Sequence, residues 1–211
     1  MRKGLFPVLS TGVIVLALGL GTSAATATTT TTWTISPGGT VTGTAGKTIV
    51  TDTRSTAQLV CTSSSVGATL KSGTGQINPL GQITAVAYNG CTFSGAGGSI
   101  TASASSSNPW HLRGMTYSSG VTHGKITNMQ GSFSITGPLG TCSGTFAGTT
   151  ATTPGSVRAT YNNGTGVLTT SGGNVHAWNV TGNCLGNIAT GDAVTIVGQY
   201  AISPAQTITS P

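Results

Sequence analysis

The chain has 211 residues, enough for one β-sandwich or barrel or for two very small domains. Thr, Gly and Ser (41, 33 and 23 residues) occupy 97 positions, whereas charged residues make up only 5% and Glu is absent. An acidic calcium site is excluded, because it needs several carboxylates around one ion. Helix-rich architectures are disfavoured because Gly and Thr are poor helix formers, and charge-driven disorder is disfavoured because few charges repel.

Residues 1–27 have the features of a secretory signal peptide. Two basic residues precede an apolar run from Leu5 to Leu20, and Ala25-Thr26-Ala27 is a suitable cleavage site. The run is shorter than the roughly 20 residues that span a bilayer. We therefore expect cleavage, a flexible Thr-rich tail at 28–32, and a single β-rich domain at 33–211. The mature protein is expected to be secreted, either released or held at the cell surface by non-covalent contacts alone, and not embedded in the membrane.

Four cysteines, Cys61, Cys91, Cys142 and Cys184, all lie after the predicted cleavage site. An even number in an exported chain predicts two disulfides, for which three connectivities are possible. The segment from Cys61 to Cys91 and that from Cys142 to Cys184 both contain short strands, an aromatic residue and an Asn/Gly turn. This faint repeat favours pairing within each segment. The spacings match no zinc motif, so no metal site is expected.

Short apolar and threonine-rich runs alternate with Gly, Asn and Pro, which predicts strands separated by turns. The clearest strand is 194–202, in which every second residue is apolar, and 157–161 with 167–169 predicts a hairpin. Ile35-Ser36-Pro37 recurs as Ile202-Ser203-Pro204, as expected if the first and last strands lie side by side. The predicted fold class is all-β, an antiparallel β-sandwich or barrel with two disulfides.

Residues suited to acid–base chemistry are scarce. Glycoside hydrolysis needs two carboxylates, and Asp52 and Asp192 are the only acidic side chains. Asp52 is expected to pair with Arg54 on one strand face, and Asp192 to occupy a turn. None of the three histidines lies in a serine-protease motif or near a second metal ligand. We therefore expect a non-catalytic protein without a cofactor, and a hydrolase with no recognisable motif remains as an alternative.

Aromatic residues are the remaining candidates for a binding site. Trp110, Trp178 and Tyr117, together with His176, could stack on sugars or line an apolar pocket, although they could equally fill the core. Trp110 follows Pro109 and is expected at a loop edge. Nucleic-acid binding is not expected, because the Lys and Arg residues are scattered singly along the chain.

Three motifs, residues 32–39, Asn108-Pro109-Trp110 and residues 200–206, resemble the small exported Thr/Gly-rich proteins of actinobacteria, a group without an assigned function. The resemblance implies secretion and a β-rich fold, and it transfers no active site. The leading hypothesis is a secreted, non-catalytic protein that adheres weakly to glycans, such as those of the cell wall, or to other copies of itself. A carrier of a small apolar ligand is the alternative. A pocket of about 300 Å³ lined by Trp and Tyr would favour the carrier, and coplanar exposed aromatic rings would favour glycan binding.

Overall fold

The computed structural model describes residues 31–138 and 140–210, so the predicted signal peptide and the start of the Thr-rich tail lie outside the described residues. The described chain consists of strands and turns without a helix, which confirms the all-β prediction. It accordingly contains no helix long and apolar enough to cross a membrane. The strands are β1 (Trp33–Ser36), β2 (Gly39–Ala45), β3 (Thr48–Asp52), β4 (Gln58–Leu70), β5 (Gly73–Gln76), β6 (Gly81–Phe93), β7 (Ala96–Ala102), β8 (Trp110–Ser118), β9 (Val121–Met129), β10 (Gly131–Gly137), β11 (Gly140–Ala147), β12 (Gly155–Asn162), β13 (Val167–Gly173), β14 (Val175–Gly182), β15 (Ala193–Ser203) and β16 (Thr207–Thr209).

Thirteen strands form one antiparallel sheet that closes on itself twice. The first ring has eight strands in the order β2-β4-β6-β8-β9-β12-β13-β15, and β15 pairs with β2 to close it. The second ring also has eight strands, in the order β3-β4-β6-β7-β10-β11-β14-β15, and β15 pairs with β3 to close it. Closed rings satisfy the backbone hydrogen bonds of strands that would otherwise form exposed edges.

The long strands β4, β6 and β15 belong to both rings. Residues 58–61 of β4 pair with β3 in the second ring, and residues 64–70 of the same strand pair with β2 in the first. The start of β15 likewise pairs with β3 and β14, whereas its end pairs with β2 and β13. The two rings therefore lie one after the other along the lengths of β4, β6 and β15, which they share.

Two tight turns join neighbouring strands of the rings. Ser94-Gly95 joins β6 to β7 and Ser119-Gly120 joins β8 to β9, and all four residues have positive φ angles. Two successive residues with positive φ match the right-handed twist of the flanking strands. The Asn/Gly turn predicted in the segment from Cys61 to Cys91, at Asn89-Gly90 just before Cys91, is wrong, because β6 continues through these residues.

A separate three-stranded sheet, in the order β16-β1-β5, packs at one end of the first ring. Ile35 of β1 lies opposite Ile208 of β16, and both are buried. The repeat of Ile-Ser-Pro predicted that Ile202-Ser203-Pro204 pairs with the first strand, but that segment pairs with β2, and β16 takes the place beside β1. The side chain of Asn163 completes β16, since it donates to the carbonyl of Ile208 and accepts from its N–H, both at 3.0 Å.

The two disulfides are Cys61–Cys91 and Cys142–Cys184, as the internal repeat predicted. Cys61 of β4 lies directly opposite Cys91 of β6, and the second bridge joins β11 to the segment after β14. All four cysteines are buried in the core. Two bridges without a free cysteine among the described residues are consistent with an extracellular protein.

Candidate functional site

The first ring encloses an apolar chamber of about 70 Å³. All eight strands of the first ring (β2, β4, β6, β8, β9, β12, β13 and β15) contribute to its walls, and β16 covers one end. Two smaller voids of about 20 Å³ each lie in the second ring, beside Trp110 and beside Phe133. The aliphatic side chains that line the chamber are Val41, Val66, Ala68, Leu70, Leu80, Ile83, Leu112, Ala159, Leu168, Ile202 and Ile208.

Two facing glycines shape the wall of the chamber between β8 and β9. Gly114 and Gly124 lie directly opposite one another, and a Cβ atom at Gly114 would collide with the indole of Trp33. The side chain of Asn78 donates to the carbonyl of Gly114 at 2.7 Å and accepts from its N–H at 2.8 Å. Glycine is therefore required at position 114, because the buried Trp33 ring takes the space of a side chain.

A hydrogen-bonded pair closes the polar end of the chamber. The Tyr161 hydroxyl donates to the carbonyl of Gln206 and accepts from its N–H, both at 2.9 Å. The Gln206 amide accepts from the Gly38 N–H at 2.8 Å and donates to the Pro204 carbonyl at 2.9 Å. Burial raises the pKa of the Tyr161 phenol, so it stays neutral. These polar groups hold the C-terminal segment in place. The rest of the wall is mostly aliphatic, although Thr122 also lines it and the exposed residues Arg113 and Lys125 border it.

The four predicted binding residues do not form one site. Trp110 is buried at the start of β8 and lines a small void in the second ring, rather than lying at a loop edge. Trp178 and His176 are half-buried neighbours on β14 with ring centres 6.4 Å apart, and the Trp178 indole donates to the Gly148 carbonyl. Tyr117 is half-buried near the end of β8. Every described Trp and Tyr is buried or half-buried.

Asp52 and the Arg54 side chain do not form the predicted ion pair. Arg54 binds Asp192 rather than Asp52, with Nε and Nη2 donating to the two carboxylate oxygens at 2.9 and 2.8 Å. Asp52 instead accepts from the backbone N–H groups of Arg54 and Ser55, because a turn begins directly after β3. The Arg54 guanidinium holds the pKa of the Asp192 carboxyl at about 2, below its usual value of 3.8. The predicted turn position of Asp192 is confirmed.

The geometry brings together no recognised catalytic group in the part of the chain that is described. No histidine side chain there hydrogen-bonds to a serine or an aspartate, and no three potential metal ligands converge. Two larger pockets, of about 340 and 330 Å³, border the β6–β7 turn and the start of β10, and neither is lined by Trp or Tyr. The chamber is the most apolar of these sites. None of them is the pocket of about 300 Å³ lined by Trp and Tyr that was expected for a carrier, because the chamber contains Tyr161 but is smaller, and the two larger pockets contain neither residue type.

These observations define a disulfide-bonded, all-β protein of two joined rings, one of which is hollow and apolar. Its sequence matches a family model over residues 7–210, nearly the whole chain, and the protein belongs to the alkane oxidation protein activator PraA/PraB-like family. Neither a curated protein nor a solved structure matches it. The family match covers all three motifs of the predicted resemblance, and it does not bear on an actinobacterial source.

Proposed function

We propose that this protein is a secreted, non-catalytic accessory protein of alkane oxidation that binds a short apolar molecule, or the end of a longer one, in the chamber of the first ring. The observation that carries the proposal is an aliphatic chamber inside an otherwise hydroxyl-rich protein. The family description supports hydrocarbon as the ligand class. The signal-like N-terminus and the two disulfides support secretion.

The size of the chamber limits what it can hold. About 70 Å³ is roughly half of the engineered cavity of about 150 Å³ that binds benzene. Three or four CH₂ groups buried at about 0.8 kcal/mol each contribute about 2–3 kcal/mol. This is less than the roughly 4.1 kcal/mol of a millimolar complex. We expect weak, rapidly reversible binding, which suits a protein that takes up and releases its ligand.

We infer a non-catalytic role because the two acidic side chains and the Tyr161 phenol are already engaged in hydrogen bonds or an ion pair within the protein. Asp192 is occupied by Arg54, Asp52 caps a turn, and the Tyr161 hydroxyl is bound twice by Gln206. The proposed ligand would therefore meet mainly aliphatic side chains, since Arg113 and Lys125 border the chamber but are exposed to solvent. Any oxidation would then occur on another protein.

Xenon under pressure is a suitable probe, because it is apolar and small enough for the chamber. We expect xenon, and dissolved n-butane, to shift the methyl resonances of Leu112, Leu168 and Ile202 in the NMR spectrum. Ala159→Leu fills the chamber and should abolish these shifts, whereas Ala87→Leu, at an exposed position of β6, should keep them. Shifts that persist unchanged in a folded Ala159→Leu protein, or that occur only elsewhere, would contradict the proposal.

A second candidate function is weak adhesion to glycans or to other copies of the chain. It is favoured by the abundance of Thr and Ser on the outer faces of the strands, such as Thr40, Thr42 and Thr44 of β2. It draws no support from aromatic stacking, since every described Trp and Tyr is at least half-buried. Retention on peptidoglycan, chitin or cellulose would support adhesion to glycans, and lack of retention on all three would remove that part of the candidate function.

A further inference from the structure

Strand pairing gathers basic residues that are far apart in the sequence. Arg113 of β8 lies directly opposite Lys125 of β9, and Lys125 lies directly opposite Arg158 of β12. All three side chains are exposed, while the alternate residues Ile126 and Ala159 are buried. Strands lie about 4.8 Å apart, so the three cations form a line about 10 Å long on the outside of the first ring.

The residues on either side of this line share its outward face. Residues two positions away along a strand point to the same side of a sheet. On β8 a bulge between Gly114 and Thr116 brings Thr116, three residues from Arg113, opposite His123. On one side of the line the register aligns Thr116, His123 and Thr160, and on the other it aligns His111, Thr127 and Ser156. The nine residues, called here the basic face, include no acidic and no apolar side chain.

The charge of the basic face is not neutralised within the described part of the chain. Like charges placed directly opposite across strands destabilise a sheet. The only two aspartates lie where β3 ends and β15 begins, in the second ring, and the ion pair seen there joins Asp192 to Arg54. An arrangement that disfavours folding, and that no carboxylate relieves, indicates a partner that carries negative charge.

We propose that the basic face binds an anionic polysaccharide, a polymer that carries a carboxylate or sulfate on its sugars. Arg113 and Arg158 can each hold a carboxylate with two parallel hydrogen bonds, and Lys125 lies between them. The Thr, Ser and His side chains beside the line offer hydrogen bonds to sugar hydroxyls. Arg113 and Lys125 also border the chamber, but they are exposed on the outside of the ring, so the proposal does not require a ligand in the chamber.

Two other anionic partners fit the basic face less well. Single-stranded nucleic acid is bound by aromatic rings that stack on bases, and the basic face has no such ring. Proteins that lie on a membrane insert several apolar side chains among the lipids, whereas β8, β9 and β12 expose a single large apolar residue, Met115 in the bulge of β8. A hydroxyl-rich polymer with regularly spaced carboxylates complements both the charges and the polar groups.

The test compares polygalacturonate with neutral dextran at low ionic strength, using the full secreted protein. We expect polygalacturonate to bind and dextran not to bind. Lys125→Gln should weaken binding about tenfold, and the slope of log K against log salt should fall by about one, as expected when one cation releases one counterion. Lys47→Gln makes the same change of charge at an exposed turn outside the basic face and should alter binding less than twofold.

Stability gives a second readout that separates lost binding from lost folding. Because Lys125→Gln removes repulsion from both neighbours, its thermal unfolding midpoint should be equal to or above that of the unchanged protein. Its response to xenon should also stay the same. Equal weakening by Lys125→Gln and Lys47→Gln, or equal binding of dextran, would overturn the proposal. Tighter binding of anionic phospholipid vesicles or single-stranded DNA than of polygalacturonate would also overturn it.

Discussion

Reduction of the two disulfides should remove most of the free energy that keeps this protein folded. The bridges close loops of 30 and 42 residues. In the chain-entropy description, loops of these lengths contribute about 3.6 and about 3.9 kcal/mol at 25 °C. The loops span 61–91 and 142–184 and do not overlap, so their effects should add to about 7–8 kcal/mol. Domains are typically stable by only about 5–15 kcal/mol, so the reduced chain should be close to unfolding.

Urea unfolding followed by tryptophan fluorescence measures this directly. With a slope of about 2 kcal/mol per molar urea, the loss of one bridge should lower the midpoint by roughly 2 M. The paired variants Cys61→Ala/Cys91→Ala and Cys142→Ala/Cys184→Ala should each show nearly the same decrease, because loop length enters only as a logarithm. Alkylation and mass spectrometry would verify that reduction is complete. Coincident midpoints for the oxidised and fully reduced proteins would refute this reasoning.

Two further predictions concern single side chains. Tyr161→Phe should destabilise the fold by about 2–4 kcal/mol in urea unfolding, because it leaves the buried N–H and carbonyl of Gln206 without their partner. Tyr117→Phe, at a half-buried position, should change the free energy of unfolding by less than about 0.5 kcal/mol, and equal losses in the two variants would contradict the argument. The pKa of Asp192 is lowered from 3.8 to about 2, so its ion pair stabilises the fold fully above about pH 4 and is lost as the pH falls through 2. Asp192→Asn should therefore lower stability at pH 5 and flatten its decline between pH 4 and 2, and parallel pH profiles of the two proteins would show that the ion pair contributes nothing.

Local patterns in the sequence predicted much of the fold. The alternation of apolar residues in 194–202 corresponds to β15, and the hairpin expected around Asn162-Asn163-Gly164 corresponds to β12 and β13. The cysteine pairing was also predictable, because each bridge closes within one segment of the repeat. These features depend on neighbouring residues and on β-branched side chains, which act at short range.

Contacts between distant segments were not predictable in the same way. Arg54 and Asp192 are 138 residues apart. The sequence alone therefore favoured Asp52, two positions from Arg54, as the partner. The basic residues are scattered singly in the sequence, yet the register of β8, β9 and β12 aligns Arg113, Lys125 and Arg158. The chamber requires the closure of a whole ring, and a single sequence carries no signal for which strand pairs with which. The Gly residues at 114 and 124 are the one local sign of a close approach, although glycine is too common here to be diagnostic.

The side-chain amides of Asn163 and Asn78 each form two hydrogen bonds to the backbone at a strand edge, at Ile208 and Gly114 respectively. They occupy donors and acceptors to which a strand from another molecule could otherwise attach. A chain so rich in threonine, and with so few charged residues, contains many segments of high β-propensity that could stack between molecules. Two uncharged amides thus help to keep separate molecules from joining edge to edge.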